Sequence, residues 1–150
     1  MRKKKYNIII KEEVMIISAG ALFKAEDTNR YLFILRSSKT SYPSRWSLVG
    51  GKVHYDEEIL EGLTREITEE LGFLPKITKW CPFNCFTSMD KKFQYHSCLL
   101  LTPKEFVPNL NDESDGYAWV NIDNPPKPLH PRLREVLTSN ILIESIKNFS

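Results

Sequence analysis

The pattern of apolar and polar positions divides this chain into short strands around one well-marked helix. Val14 to Phe23 (VMIISAGALF) is almost continuously apolar and rich in β-branched residues, which predicts a buried strand. Glu26-Asp27-Thr28-Asn29 is a turn signal, and Tyr31 to Leu35 (YLFIL) reads as a second strand, so the two form a hairpin. The period then changes. Leu60, Leu63, Ile67 and Leu71 recur at spacings of three and four, which puts them on the core-facing side of a helix. Asp56 is the expected N-cap, Glu57, Glu58 and Glu61 sit where the helix dipole favours anions, and Gly72 suits the left-handed position after the last turn. Phe93 to Leu101 (FQYHSCLLL) and Tyr117 to Val120 return to strand patterning. Asn124-Pro125-Pro126-Lys127-Pro128 is a stiff connector. Leu133, Val136, Leu137 and Ile141 then predict a last helix covering one sheet face. The expectation is one layered α/β domain over residues 1–150, with residues 1–10 a flexible basic terminus.

Composition narrows the function classes. A length of 150 residues supports a core that folds alone. A net charge of +2 and a pI near 8.4 are too mild to argue for nucleic acid as a partner. Arg2 to Lys5 form a basic run; a solvated terminus is the preferred reading, and an arm that recruits capped RNA is the alternative. No stretch approaches the ~18 apolar residues of a membrane span. Cys81, Cys85 and Cys98 are an odd number without a disulfide framework, which fits reduced thiols in a cytoplasmic protein. Cys81 and Cys85 lack the second pair that a zinc site needs.

Charge placement along the predicted helix carries the chemistry. Glu66 and Glu70 are four apart, on the same non-core side of the helix, with Glu69 beside them. Like charges at that spacing repel, and a divalent cation turns the repulsion into binding. Carboxylate ligands with few histidines point to Mg²⁺, with Mn²⁺ as a substitute. Mg²⁺ usually shares its coordination sphere with substrate phosphates, so metal-assisted phosphate chemistry follows.

The stretch Gly51 to Phe73 resembles the signature box of the Nudix hydrolase superfamily. Gly51, Glu57, Arg65, Glu66, Ile67, Glu69, Glu70, Gly72 and Phe73 fill every position of that pattern in register. Seven strict identities at about 6% each would coincide by chance on the order of once in 10⁹ start positions, so the signal is specific. The lead-in Trp46-Ser47-Leu48-Val49-Gly50-Gly51 is similar too, with Val49 in place of a frequent proline. His54 and Asp56 depart from the commonest residues at variable positions of the box. The resemblance implies a Nudix-type α/β/α sandwich with a central mixed sheet.

It also implies site residues. Glu66, Glu69, Glu70 and the Gly51 carbonyl are the implied metal ligands, and Glu57 and Arg65 brace them. Glu113, in the Asn/Asp-rich loop before Tyr117, is the implied extra ligand or general base, with Asp112 and Asp115 as alternates; a merely solvated acidic loop competes with that reading. Ser114 stands where some relatives carry a histidine base. Arg36, at the end of the second strand, stands where many Nudix proteins carry a basic residue that meets substrate phosphate, with an ordinary surface arginine as the equal alternative. Phe86, Tyr95 and Trp80 are candidates for stacking a nucleobase, with the core the preferred place for at least two of the three.

The implied activity is Mg²⁺-dependent cleavage of the phosphoanhydride of a nucleoside diphosphate linked to X, a pyrophosphatase reaction on a small nucleotide-containing partner. A nucleotide sugar of the ADP-ribose or GDP-sugar type is the lead, from the runs Tyr55-Asp56-Glu57 and Asp112-Glu113 with Tyr117-Ala118-Trp119. A nucleoside triphosphate or dinucleoside polyphosphate is the alternative. A non-catalytic nucleotide sensor is the competing class, and the complete set of box carboxylates argues against it. Homodimers are common in the superfamily, and no residue here argues for one.

Overall fold

The structure, a computed structural model, describes residues 15–150. The basic run Arg2 to Lys5 and Val14 lie outside the described residues, as does the expectation of a flexible terminus. Among the described residues seven strands and three helices follow in order: β1 (Ile16–Ala25), β2 (Tyr31–Arg36), β3 (Trp46–Ser47), β4 (Val49–Val53), α1 (Ile59–Leu71), β5 (Lys79–Thr87), β6 (Phe93–Thr102), β7 (Ser114–Val120), α2 (Pro131–Thr138) and α3 (Asn140–Asn148).

The sheet is mixed, and β1 is its hub. On one side β1 runs parallel to β6 along its whole length, from Ile16↔Phe93 to Ala25↔Thr102, and β6 continues antiparallel to β5. On the other side β1 pairs with β2 only at Phe23↔Leu32 and Lys24↔Tyr31. The hairpin is therefore present but short, because the two strands then diverge. The segment 46–53 fills the opening: β3 adds to β2, and β4 pairs antiparallel with β1 from Ile17↔Val53 to Ala21↔Val49. The outer edge of β2 is taken by β7.

Side-chain alternation along β1 splits the core into two layers, as a period of two requires. Ala19, Ala21 and Phe23 pack with Leu63, Ile67 and Leu71 of α1. Leu22 faces the other way and packs with Leu99, Leu133, Val136 and Ile146 beneath α2 and α3. Helices thus cover both faces, giving an α/β/α sandwich. Burying Leu63, Ile67 and Leu71 completely contributes roughly 1.5–3 kcal/mol each before entropy is counted.

Local signals were mostly realised, with three corrections. Helix α1 starts later than Asp56: Glu58 is the N-cap, and its N–H donates to Glu61 Oε1 at 3.0 Å. Residues 54–57 instead form a turn in which Glu57 N–H donates to the His54 carbonyl at 3.0 Å. Leu60 belongs to the outer edge of the helix and stays 44% exposed, while Gly62 is buried in its place. The last helix is two, broken at Ser139. Its hydroxyl accepts from Leu142 N–H and caps α3, which leaves Ile141 80% exposed, outside the stripe. Gly72 ends α1 as expected, with φ of 79° and its N–H donating to Thr68.

The β1–β4 pairing is unusually tight at Gly50. A Cβ there would lie 2.0 Å from the Ala19 carbonyl oxygen and 2.8 Å from Gly20 Cα. Both obstacles are backbone, so Gly50→Ala is expected to destabilise the fold by about 2–3 kcal/mol, as overpacking of a rigid neighbour does. Equilibrium urea unfolding measures this as a lower midpoint.

Candidate active site

A cleft of about 850 Å³ lies against the segment 46–53. Its walls bring together Gly50 and Gly51 from β4, Glu66, Glu69 and Glu70 from α1, Arg36 from the end of β2, Glu113 before β7, and Phe86 and Tyr95 from β5 and β6. All the predicted metal and substrate residues therefore line one space, although Glu113 is far from the helix in sequence. The bulge at the end of β2 sets Arg36 opposite Ser114, and Ser37 N–H holds the Glu113 carbonyl at 3.0 Å. Asp112 is turned outward onto Lys39 at 3.1 Å, and neither it nor Asp115 lines the cleft.

Glu57 and Arg65 stand behind this wall. Arg65 grips Glu57 with two hydrogen bonds of 2.9 Å, reaches the Lys52 carbonyl at 2.9 Å, and donates to Glu66 at 3.0 Å. A bidentate guanidinium–carboxylate pair is a strong, directional contact. It lowers the Glu57 carboxyl to about 2, helped by the His54 N–H, and raises Arg65. These two residues are a brace that fixes the helix against the β4 loop.

The carboxylates of the wall are held against their own charge. Glu70 is only 7% exposed and accepts from Gly50 N–H at 2.8 Å. Burial, and then the nearby Glu66 and Glu113, push its carboxyl up to about 8; the Gly50 bond and Arg36 only partly oppose this. Glu66 is also raised, by burial first, with Arg65 opposing and Glu69 and Glu113 adding to it. Its carboxyl lies directly over Gly51, where a Cβ would come within 2.6 Å. Among the described residues no three acidic, histidine or cysteine side chains already form a closed metal cage; Glu66 bonds to Arg65 and Glu70 to Gly50. The donor set nevertheless fits a hard divalent cation: carboxylates share one wall, Glu66 and Glu70 are made harder to ionise by burial and by their acidic neighbours, and a glycine keeps the approach to Glu66 open.

Arg36 is anchored by Ser41, through its carbonyl at 2.6 Å and its hydroxyl at 3.0 Å, and faces the same cleft. Tyr95 lines the cleft but also packs closely on Gly20, where a Cβ would lie 2.1 Å from the phenol oxygen. Phe86 reaches the cleft with one face covered by the Arg132 guanidinium, 3.7 Å from the ring centre. Tyr42, His130 and Arg132 also line it and were missed from sequence. His130 is brought to about 4 by burial, and then by Arg36, Arg132 and Arg45. The only sequence signal for this group was Pro131, a helix-opening residue after the proline-rich connector. That signal says where α2 begins and nothing about what its first turn faces.

The three cysteines are free. His96 is occupied by Gln94 at 2.9 Å, as a sheet residue rather than a ligand. Among the described residues no helix is long and apolar enough to cross a membrane.

Comparison with known proteins adds the following. The family model described as NUDIX domain matches residues 15–139. A nucleoside triphosphatase named NudI from Escherichia coli is 36% identical over 89 residues, covering 53% of this chain and 63% of that protein. The chain thus spans less than two thirds of the length of the curated relatives it matches. Among solved structures, a MutT protein from Methanosarcina mazei is 26% identical with a TM-score of 0.61, over 84% of this chain and 92% of that one. A MutT NUDIX hydrolase from Burkholderia pseudomallei is 25% identical with a TM-score of 0.66, over 83% and 97%.

Proposed function

This chain belongs to the NUDIX domain family, and from that premise we propose that it is a Mg²⁺-dependent pyrophosphohydrolase that splits a nucleoside triphosphate into nucleoside monophosphate and pyrophosphate. The observation that carries the reading is the convergence of Glu66, Glu69, Glu70 and Glu113 with Arg36 in one cleft. Bound Mg²⁺, or Mn²⁺ in its place, supplies charge neutralisation of the anhydride and makes the attacking water more acidic. Glu66, Glu69, Glu70 and the Gly51 carbonyl would hold it.

The chain's own groups divide the remaining work. Arg36, held in place by Ser41, binds the phosphates and balances their charge. The Glu57–Arg65 pair keeps Glu66 over Gly51. Glu113 acts as general base and takes the proton of the attacking water; among the described residues its side chain has no competing hydrogen bond, while its backbone is pinned through Ser37 and Asn111. The reduced thiols suit the cytoplasm as its location.

A nucleotide sugar of the ADP-ribose or GDP-sugar type is the second reading of the same chemistry. Most residues behind that expectation lie outside the cleft. Tyr55 is fully exposed, and Trp119 packs edge-on to Phe106 and donates to its carbonyl at 3.0 Å. The nucleoside triphosphatase name of the 36% identical relative also supports the triphosphate. The test is product analysis with Mg²⁺ on a panel of nucleoside triphosphates, ADP-ribose, GDP-mannose and dinucleoside polyphosphates. Monophosphate and pyrophosphate from a triphosphate are expected. Cleavage of the nucleotide sugars alone would establish the second reading, and tight binding with no product would make the domain a sensor.

A further inference from the structure

The nucleotide reading above is the premise of this inference. Away from the carboxylates, the cleft is lined by side chains that the hydrolytic chemistry leaves unused: Phe86, Tyr42, His130 and Arg132. Arg132 is the unusual one. Its guanidinium carbon lies over the Phe86 ring, 3.7 Å from the ring centre, so one face of that aromatic already carries the chain's own cation. Its Nη2 meets Glu135 at 3.1 Å, while Nη1 is buried and has no hydrogen-bond partner among the described residues. A charged donor left without an acceptor is unfavourable, and a guanidinium cannot lose its proton to escape the problem.

The backbone at this point is fixed. Pro131 opens α2, and Arg132 N–H donates to His130 Nδ1 at 3.1 Å. The part free to respond to a ligand is the end of the long side chain. Arg36 and Arg45 add positive charge around His130, so this end of the cleft favours an electron-rich edge over a cationic one.

We propose that Arg132 is a specificity-determining residue that selects 6-oxopurine nucleotides, whose O6 and N7 present two adjacent acceptors on one edge, over adenine nucleotides. The base enters edge to edge with the guanidinium, which turns on Phe86 so that the unpaired Nη1 edge donates into the ligand. Guanine and hypoxanthine offer O6 and N7 to such a fork. Adenine offers N7 beside an amino donor, and arginine has only donors to set against it. The orphaned donor becomes paired when the right base arrives, so selectivity and relief of an unmet hydrogen bond are the same event.

Two measurements test this. With Mg²⁺, kcat/KM for GTP and ITP is expected to exceed that for ATP by about tenfold or more, on the scale of one good arginine–guanine contact. Calorimetry in EDTA, titrating GMP and AMP, is expected to show the same order without any turnover. Arg132→Met is expected to remove the preference in both. Arg132→Lys, which keeps the charge and loses the planar fork, is expected to remove it as well. Equal use of GTP and ATP by the wild type, a preference for ATP, or a preference that survives both variants overturns the assignment. Hydrolysis without base preference sinks only the role of Arg132. GMP preference without hydrolysis sinks only the catalytic reading, and failure to bind or cleave any nucleotide sinks both.

Discussion

Glu70→Gln is expected to lower turnover of the best nucleotide substrate by roughly 10²–10⁴-fold and to leave the protein folded. The substitution is nearly isosteric. The amide oxygen of glutamine still accepts from Gly50 N–H, so the contact that ties α1 to the β4 loop survives. What disappears is the ability to become an anion at a buried point of the cleft. Glu70 in the free protein is already biased toward its neutral form, with its carboxyl near 8. Glutamine therefore copies the resting state and removes the ionised state that would hold a cation. Phosphate release from the responsive substrate, measured for both proteins across a range of Mg²⁺ concentrations, is the check. Equal product from the two would remove Glu70 from the chemistry and with it the assignment of this wall as the active centre.

Stability without metal is expected to fall as pH rises from about 6.5 to 8, and Mg²⁺ is expected to cancel the fall. The sign follows from linkage. A group whose folded-state carboxyl is raised binds its proton more tightly in the native state, so it stabilises most at low pH and loses that contribution as pH climbs through the raised value. Glu70, lifted from 4.5 to about 8, does this, and Glu66 acts in the same direction. His130, lowered from 6.5 to about 4, works oppositely: its contribution is present above 6.5 and is lost as pH drops toward 4. Glu57, lowered to about 2, matters only in stronger acid. Between 6.5 and 8 the glutamates act alone. At 1.36 kcal/mol per pH unit, Glu70 accounts for on the order of 2 kcal/mol across that window. Mg²⁺ is expected to reverse the sense, because a cation bound to the ionised wall of the native state would stabilise it by mass action. Melting temperatures in EDTA and in millimolar Mg²⁺, at several pH values, read both effects. A flat profile in EDTA, or the same decline in Glu70→Gln, would contradict the account.

Much of this molecule was legible in residue order. The spacing of Leu63, Ile67 and Leu71 gave a helix face that is buried completely, and Gly72 marked where the helix stops. The runs at β1, β2 and β6 were visible because strands in the middle of a sheet need apolar side chains on both faces. Errors came where two local signals competed. Asp56 is a good N-cap by type, yet the turn from His54 to Glu57 uses that stretch, and the helix starts at Glu58. Leu137 and Ile141 have helical spacing, yet Ser139 caps a new helix between them, because its hydroxyl satisfies the Leu142 N–H.

The sequence by itself determined the family and the order of charges along α1, because both are properties of neighbouring residues on one short element whose geometry is fixed by its own hydrogen bonds. It determined that Glu66, Glu69 and Glu70 share a side of the helix. Tertiary structure alone decided that Glu70 would be buried beneath Gly50, that Glu113 would face it from a loop 43 residues further along, and that Arg132 would lie on Phe86 with an unpaired donor. Burial and long-range approach depend on how β1 and β2 diverge and what fills the gap, and no window of residues carries that information. The carboxylates supply the charge; the sheet decides how hard that charge is to keep without a cation.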